Sequence, residues 1–271
     1  MVLPVHDVNP VRRTPVVTYL LIAVNVVVFV LSPLSTHLLG GTSVADQCEV
    51  VAFLDKYAAV PDELVHNRQE PIGATGEVGR AGGQVGCVEQ QPPPFQKTPV
   101  LSVLYAMFLH GGWLHLLGNM LFLFVFGNNV EDRLGRLRYL AFYLFCGYAA
   151  TYGFSLLSPD STQPLVGASG AIAGVLGAYL VLFPRAKVWS LLTFFFFLPV
   201  RLPAWLVLGS WFVLQYLFAR GSGIATGAQP STVAYWAHVI GFLIGAVLVW
   251  RLRGTGQARA LQPRWGPYAH R

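Results

Sequence analysis

The sequence predicts a polytopic membrane protein built from helices, and three observations support that prediction. Hydrophobic residues make up 54% of the 271-residue chain and charged residues only 11%, whereas soluble domains contain roughly 25% charged residues. The mean hydropathy is positive, at +0.54. Finally, six apolar stretches meet or approach the roughly 20 residues that a helix needs to cross a bilayer. The predicted spans are 16–35, 113–129, 139–157, 165–183, 204–219 and 233–250.

The predicted fold class is an all-α bundle of six transmembrane helices with both termini in the cytoplasm. The first stretch is compatible with a cleavable signal peptide, but no A-x-A-like cleavage site follows it, which favours an uncleaved span. Most of the 18 Lys and Arg residues fall in segments that share a side with the N-terminus. Because short cytoplasmic segments are enriched in these residues, this bias sets the orientation.

Five segments follow from the spans: a cytoplasmic N-terminal segment 1–15, the first transmembrane helix 16–35, an outer loop 36–98, a core 99–251 with five further transmembrane helices, and a basic cytoplasmic tail 252–271. The outer loop is rich in Gly and Pro, so we expect it to be long and largely flexible. Residues 50–65 are more apolar and are compatible with a short surface helix. Cys48 and Cys87 either pair, if this side is oxidising, or stay free thiols.

Two apolar segments of the chain contain residues that interrupt a continuous transmembrane helix. The Gly111–Gly112 pair favours a break between helices, so that the second span starts near Trp113. The hydrophobic stretch 190–203 is interrupted by two prolines and an arginine. We therefore expect it to lie at the cytoplasmic interface and to lead into the fifth span.

Few polar residues lie inside the predicted spans, and such residues are functional candidates because burying them in lipid is costly. His115 and Asn119 lie four residues apart on one face of the second span. Ser169 lies in the fourth span and His238 in the sixth. At about 1.5 Å rise per residue, all four lie about 3 to 9 Å below the outer ends of their spans. They therefore share one layer of the membrane.

Small residues repeated every four positions predict close contact between the fourth and sixth helices. Gly170 and Gly174 form such a face on the fourth helix, and Gly241 and Gly245 form another on the sixth. His238 lies on this second face, because it precedes the two glycines by three and seven residues. Tight contact would bring the Ser169 hydroxyl within hydrogen-bond reach of its imidazole.

A serine beside a histidine is the nucleophile and general base of acyl transfer. No Asp or Glu lies inside the spans to orient the histidine, so Ser169 and His238 are interpreted as a dyad. His115 and Asn119 are candidate donors to an oxyanion, and Gly167 would let substrate backbone come close. Taken singly, each residue also has a structural interpretation: helix packing for the serine, and hydrogen bonds that tie helices together for the others.

Four motifs occur in order along the chain: HGGWLHLLGNM, VEDRLG, VGASGAIAG and AHVIGFLIG. Their combination closely resembles the rhomboid family of intramembrane serine proteases, over residues 99 to 250. The resemblance implies a six-helix bundle, Ser169 as nucleophile, His238 as base, and His115 and Asn119 as oxyanion donors. His110 matches a histidine that often begins the first of these motifs, and we expect a structural role for it.

The resemblance also implies a structural role for Glu131 and Arg133, which match the polar cluster after the second span. Two features differ from the family pattern. Many members carry a Trp-Arg pair in the first loop, and this loop has none. Some members place an aromatic residue four positions after the serine, against the catalytic ring, where this chain has Ala173.

The expected function is that of an intramembrane serine endopeptidase that cleaves transmembrane or juxtamembrane segments of membrane proteins. The resemblance implies single-pass substrates, and we expect a location in the plasma (inner) membrane and a site that opens to the outer side of the lipid bilayer. No cofactor, metal or nucleic acid is expected; the basic residues form no stripe with exposed aromatics. The alternative is a non-catalytic rhomboid-like protein that binds or escorts client membrane proteins. A solute transporter is disfavoured because no internal repeat is visible.

Overall fold

Helices make up most of the protein in a computed structural model that describes residues 2–39, 43–192, 198–221 and 234–254. The predicted C-terminal tail lies outside these residues from position 255 onward. A 3-10 helix, Pro33–Leu39, follows the helix Val16–Leu31, and a π-helical turn, Leu123–Gly127, joins the helix Trp113–Phe122 to the helix Asn128–Leu134. The helices are α1 (Val16–Leu31), α2 (Val44–Tyr57), α3 (Pro61–His66), α4 (Pro99–Ala106), α5 (Trp113–Phe122), α6 (Asn128–Leu134), α7 (Arg136–Leu157), α8 (Ser169–Leu182), α9 (Ala204–Gly221) and α10 (Tyr235–Gly254).

In the part of the chain that the structure describes, five short strands correct the all-α prediction. In one sheet β1 (Val2–Asp7) pairs antiparallel with β4 (Lys187–Leu192), which pairs antiparallel with β5 (Leu198–Pro203). The other sheet is a hairpin of β2 (Gly73–Ala81) and β3 (Gln84–Gln90). The hydropathy pattern does not predict these strands, because β1 and β4 are far apart in sequence and meet only in the folded chain.

Helices lie at all six predicted span positions. Within the described ranges, three helical stretches are long and apolar enough to cross a membrane: Trp113–Leu134, Arg136–Leu157 and Tyr235–Leu252. Two more helices, α1 and α8, are apolar but shorter. The first residue of the sixth predicted span lies outside the described residues. The chain is thus a largely helical membrane protein, while the number of six spans and the cytoplasmic termini remain predictions.

The helix α8 lies at the centre of the bundle. Every residue from Ala171 to Tyr179 is buried, as expected of a helix that is apolar on all sides and surrounded by other helices. It packs against α7 on one side and α10 on another. The break predicted at Gly111–Gly112 is confirmed, because α4 ends at Ala106 and α5 begins at Trp113.

The start of α1 is capped by a carboxylate from another helix. Pro15 precedes α1 and provides no side-chain cap. Glu131 of α6 is buried, and its two oxygens accept hydrogen bonds from the backbone N–H groups of Val17 (3.0 Å) and Thr18 (2.7 Å), and from the Thr18 hydroxyl (2.8 Å). A negative charge at a helix N-terminus is favourable both for the free N–H groups and for the helix dipole. Asp132 accepts from the backbone N–H groups just before α1.

The N-terminal strand is held against the bundle by Asp7 at the end of β1. Its carboxylate accepts hydrogen bonds from Asn129 Nδ2 at 2.6 Å and from the Tyr179 hydroxyl at 2.5 Å. Burial raises the pKa of Asp7 above its usual value of 3.8, although these hydrogen bonds act in the opposite direction. The network joins β1 to α6 and α8.

The outer segment is not the largely flexible loop that its composition predicts. From Val44 to Gln90 it forms α2, α3 and the β2–β3 hairpin, so the apolar stretch 50–65 is divided between two helices. A disulfide joins Cys48 of α2 to Cys87 of β3. The buried side chains of Glu63 and Lys97 form an ion pair. The Gly and Pro content misled the prediction because a covalent link and a buried ion pair order this segment.

The stretch 190–203 adopts the strands β4 and β5 just before α9. Within the sheet Trp189 is paired with Arg201, and the guanidinium lies 4.3 Å from the centroid of the indole ring. The residues 193–197 between the two strands lie outside the described part of the chain. The interfacial position expected for this stretch stays a prediction.

Candidate active site

Ser169 is the first residue of α8, whereas the sequence placed it inside a span that began at residue 165. The chain is extended at Leu165, which forms an isolated bridge with Ala59. Gly167 then takes a φ of +124°, which L side chains rarely adopt, and donates its N–H to the carbonyl of Ala106 at 2.9 Å. The predicted start of the fourth span is therefore wrong. As the first residue of the helix, Ser169 has a backbone N–H without an intrahelical acceptor.

His238 is the fourth residue of α10 and lies within hydrogen-bond distance of the serine. Its Nε2 is 2.8 Å from Ser169 Oγ. The structure thus brings together the two residues that the sequence placed on different helices.

Glycines allow α8 and α10 to approach closely enough for this contact. A Cβ added at Gly241 would collide with the carbonyl oxygen of Gly170, and one added at Gly245 would collide with that of Gly174. A Cβ on Gly170 would lie 2.8 Å from the Ala150 Cβ of α7, so that glycine also admits a third helix. The repeated small residues therefore form the close contact expected from their spacing.

His115 and Asn119 lie on α5 and face the same region. The backbone N–H of Gly111 donates to His115 Nδ1 at 3.4 Å. A neutral imidazole that accepts at Nδ1 carries its proton on Nε2. A Cβ built on Gly167 would lie 2.9 Å from His115 Nε2 and 3.6 Å from Ser169 Oγ. The absence of a side chain at Gly167 thus leaves space between a ring donor and the serine.

Asn119 Nδ2 is buried, and among the described residues no acceptor lies within its hydrogen-bond reach. A buried amide N–H without an acceptor is costly, and it is available to donate to an oxygen of a bound ligand. His110 is fully buried, and its ring meets the His115 ring edge-on with centroids 5.2 Å apart. Its structural role stays a prediction.

Gln215 of α9 also contacts the site, and our reading of the sequence did not single it out. Its Oε1 is 2.7 Å from His238 Nδ1. Trp211, one turn earlier on α9, places its ring centroid 6.1 Å from that of His238. The sequence does contain a signal for Gln215, because a glutamine within an otherwise apolar span is costly to bury in lipid and is a functional candidate for the same reason as His115.

One group of side chains in the described ranges has the spacing of a metal site, and it contains none of the residues above. Asp62, His66 and Asp160 place one potential ligand atom each within 4.8 Å of one another. Asp62 already pairs with His66 on its own helix and with Arg68. This cluster lies on α3 and in the loop after α7, so it does not bear on the chemistry of Ser169.

Comparison with known proteins identifies the family. The family model described as the rhomboid domain matches residues 97–255. The chain is 33% identical over 153 residues to "Rhomboid-like protein 11, chloroplastic" of Arabidopsis thaliana, which covers 54% of this chain and 50% of that protein. It is 31% identical over 159 residues to "Rhomboid protein 1, mitochondrial" of Saccharomyces cerevisiae, covering 56% of this chain and 42% of the relative.

A shorter match, 33% identical over 97 residues, is to "Presenilin-associated rhomboid-like protein A, mitochondrial" of Danio rerio, with 35% of this chain and 25% of that protein covered. The chain spans half or less of the length of these relatives. The matched domain nevertheless includes Ser169, His238 and both α5 residues, and it covers more than half of the chain. The protein therefore belongs to the rhomboid family.

Proposed function

We propose that this protein is an intramembrane serine endopeptidase that cleaves transmembrane or juxtamembrane segments of membrane proteins. The observation that carries the proposal is the 2.8 Å contact between Ser169 Oγ and His238 Nε2. A hydroxyl that donates to an unprotonated imidazole nitrogen is an activated nucleophile. Family membership supports the proposal, since the chain keeps both residues at the motif positions.

The first step forms an acyl-enzyme. The Ser169 oxygen attacks the carbonyl carbon of the scissile peptide bond, and its proton passes to His238 Nε2. The tetrahedral intermediate then collapses, the C–N bond breaks, and the imidazolium returns the proton to the departing amine. The C-terminal fragment, which carries the new amino terminus, leaves, and the N-terminal fragment stays bound to Ser169 as an ester.

Donors around the serine stabilise the negative oxygen of the intermediate. His115 Nε2 and Asn119 Nδ2 supply two N–H groups from α5, and the backbone N–H of Ser169 supplies a third from the start of α8. The partial positive charge at the N-terminus of α8 acts in the same direction. Preorganised donors of this kind contribute about 3 to 4 kcal/mol each to the transition state in well-studied acyl transfer.

The second step releases the enzyme. Water donates a proton to His238 Nε2 and attacks the ester carbon, and the proton then passes to Ser169 Oγ as the ester bond breaks. The products are a carboxylate and the original dyad, so the cycle needs neither a metal nor a cofactor. Water must reach the site, which agrees with a position near one face of the membrane.

The membrane arrangement is part of the same proposal. The chain crosses the lipid bilayer six times with both termini in the cytoplasm, and the site opens to the outer side of the plasma membrane. Cationic residues concentrated on the N-terminal side support this orientation. The disulfide between Cys48 and Cys87 lies in the outer segment and suits an oxidising compartment. The substrates are single-pass membrane proteins.

A fluorophosphonate probe tests the proposal without knowledge of the substrate, because it phosphonylates an activated serine. Purified protein in detergent micelles is labelled, digested and mapped by mass spectrometry, beside Ser169→Ala and His238→Ala. We expect labelling of Ser169 that disappears in the first variant and falls by about 100-fold or more in the second. Ser210→Ala is the matched control, since Ser210 bonds only to Val207 O of its own helix in the contacts described.

Cleavage of a panel of tagged single-pass proteins by the same preparations identifies the fragments and the cut bond. A folded wild-type protein that is not labelled, or labelling that persists at an equal rate in His238→Ala, would contradict the dyad. Tight binding of single-pass proteins without labelling would point instead to a protein that holds or escorts clients.

A further inference from the structure

The side chain of Gln215 is a polar group inside an apolar helix and is not part of the dyad described above. It lies on α9, which the sequence predicts to be the fifth span, and is partly buried. A polar side chain in such a position usually has a specific partner, because its desolvation is costly in lipid. Its partner here is the ring of His238.

The three side chains form a continuous hydrogen-bonded series across three helices. Gln215 Oε1 of α9 is 2.7 Å from His238 Nδ1, and His238 Nε2 is 2.8 Å from Ser169 Oγ of α8. An amide oxygen accepts and cannot donate. The proton of the neutral imidazole therefore lies on Nδ1, and Nε2 keeps the lone pair that receives the serine proton.

From this geometry we infer that Gln215 is a positioning residue that fixes the tautomer and the orientation of the His238 ring. The inference rests on the proposed function, because it assigns the role through the general base. In soluble serine hydrolases a carboxylate holds the equivalent nitrogen. A neutral amide supplies the same acceptor without the cost of placing a second charge in the membrane interior.

Side chains of three helices surround the ring, and Tyr235 of α10 meets the imidazole edge-on with centroids 6.2 Å apart. Ala173 of α8 offers only a methyl group at the position four residues after the serine. On α9, Trp211 lies one turn before Gln215, and its ring is inclined by 31° to the imidazole with centroids 6.1 Å apart. One helix thus provides both a flat surface beside the ring and an acceptor at its Nδ1.

Two substitutions at position 215 separate the acceptor from the shape of the side chain. Gln215→Met keeps the length but removes the amide oxygen, and Gln215→Glu keeps an oxygen acceptor. In cleavage of a single-pass substrate, kcat of Gln215→Met should be about 10- to 100-fold lower than that of wild type. Its KM should stay within about 2-fold of the wild-type value. Gln215→Glu should restore most of the rate, and Ser210→Ala should not change it.

Nitrogen NMR of the imidazole gives a readout that a purely structural role would not alter. In protein labelled with 15N-histidine, and assigned by comparison with His238→Gln, wild type should show a protonated Nδ1 and an unprotonated Nε2. In Gln215→Met the proton should redistribute towards Nε2. A wild-type spectrum with the proton on Nε2, or unchanged kcat and tautomer in Gln215→Met, would overturn the inference.

The two proposals fail in different ways. If wild type and Ser169→Ala are labelled equally by the fluorophosphonate, the serine mechanism is refuted, and the catalytic part of the role of Gln215 falls with it. If Ser169 is labelled and Gln215→Met retains full activity and the same tautomer, only the inference about Gln215 is refuted.

Discussion

Replacing Gly245 by Ala should separate α8 from α10 and weaken the dyad from a distance. A Cβ built on Gly245 would lie 2.6 Å from Gly174 Cα, whereas relaxed carbon contacts are about 3.5 to 4.0 Å. The helices must therefore move apart by roughly 1 Å at this level. His238 lies about two turns, or about 10 Å, along the same helix. The same movement would lengthen the 2.8 Å contact of His238 with Ser169 towards about 3.5 Å, the limit of a hydrogen bond.

A displacement of about 1 Å at a catalytic site costs up to about 100-fold in rate, and overpacking a core costs about 1 to 3 kcal/mol of stability. We expect Gly245→Ala to be labelled by a fluorophosphonate about 10- to 100-fold more slowly and to unfold at a lower temperature. Gly209→Ala is the matched control, because an added Cβ there meets no described atom within 4 Å. Equal labelling and stability of both variants would refute the role assigned to the close helix contact.

Three further changes test how the rest of the chain is held in place. Because burial raises the pKa of Asp7 above 3.8, the folded state binds this proton more tightly than the unfolded chain. Wild-type stability should therefore fall as the pH rises from that value through the raised pKa, and Asp7→Asn should flatten this pH dependence of thermal unfolding. Glu131→Gln should lower the free energy of unfolding by about 1 to 2 kcal/mol, because it weakens the cap of α1. The contacts of Asp132 are more exposed, so Asp132→Asn should change the free energy of unfolding by no more than about 0.5 kcal/mol. Equal losses in the two variants would contradict the capping argument. Replacing Cys48 and Cys87 by Ala opens a loop of 39 residues, which should expose the outer segment to limited proteolysis at a cost of about 2 to 4 kcal/mol without changing the labelling of Ser169.

The positions of the helices in the bundle could be read from the sequence with little error. Long apolar runs can satisfy their backbone groups in lipid only as helices or closed barrels, so hydropathy alone marks them. The glycines of α8 and α10 likewise predicted the contact between these helices, because close approach of two helices in lipid requires small residues at regular spacing. These two patterns were sufficient to place Ser169 beside His238.

The role of Gln215 and the order of the outer segment could not be predicted from the sequence. The sequence shows that Gln215 is a polar residue in an apolar span. Its partner, however, depends on how α9 packs against α10, which the sequence does not show. In the outer segment, the order comes from a disulfide between Cys48 and Cys87 and from the buried pair of Glu63 and Lys97. Composition does not reveal such links, since they join residues that are distant along the chain.

The sequence by itself determined the membrane class, the family and the identity of the polar residues that meet near the start of α8. Each of these depends on local hydropathy, on residue spacing or on motifs in a fixed order. The tertiary structure alone decided that α8 begins at Ser169, that Asp7 and Glu131 hold the N-terminal strand and helix in place, and that Gln215 reaches His238 Nδ1. These features arise from contacts between distant segments, and their geometry depends on packing distances of a few ångströms that no local pattern encodes.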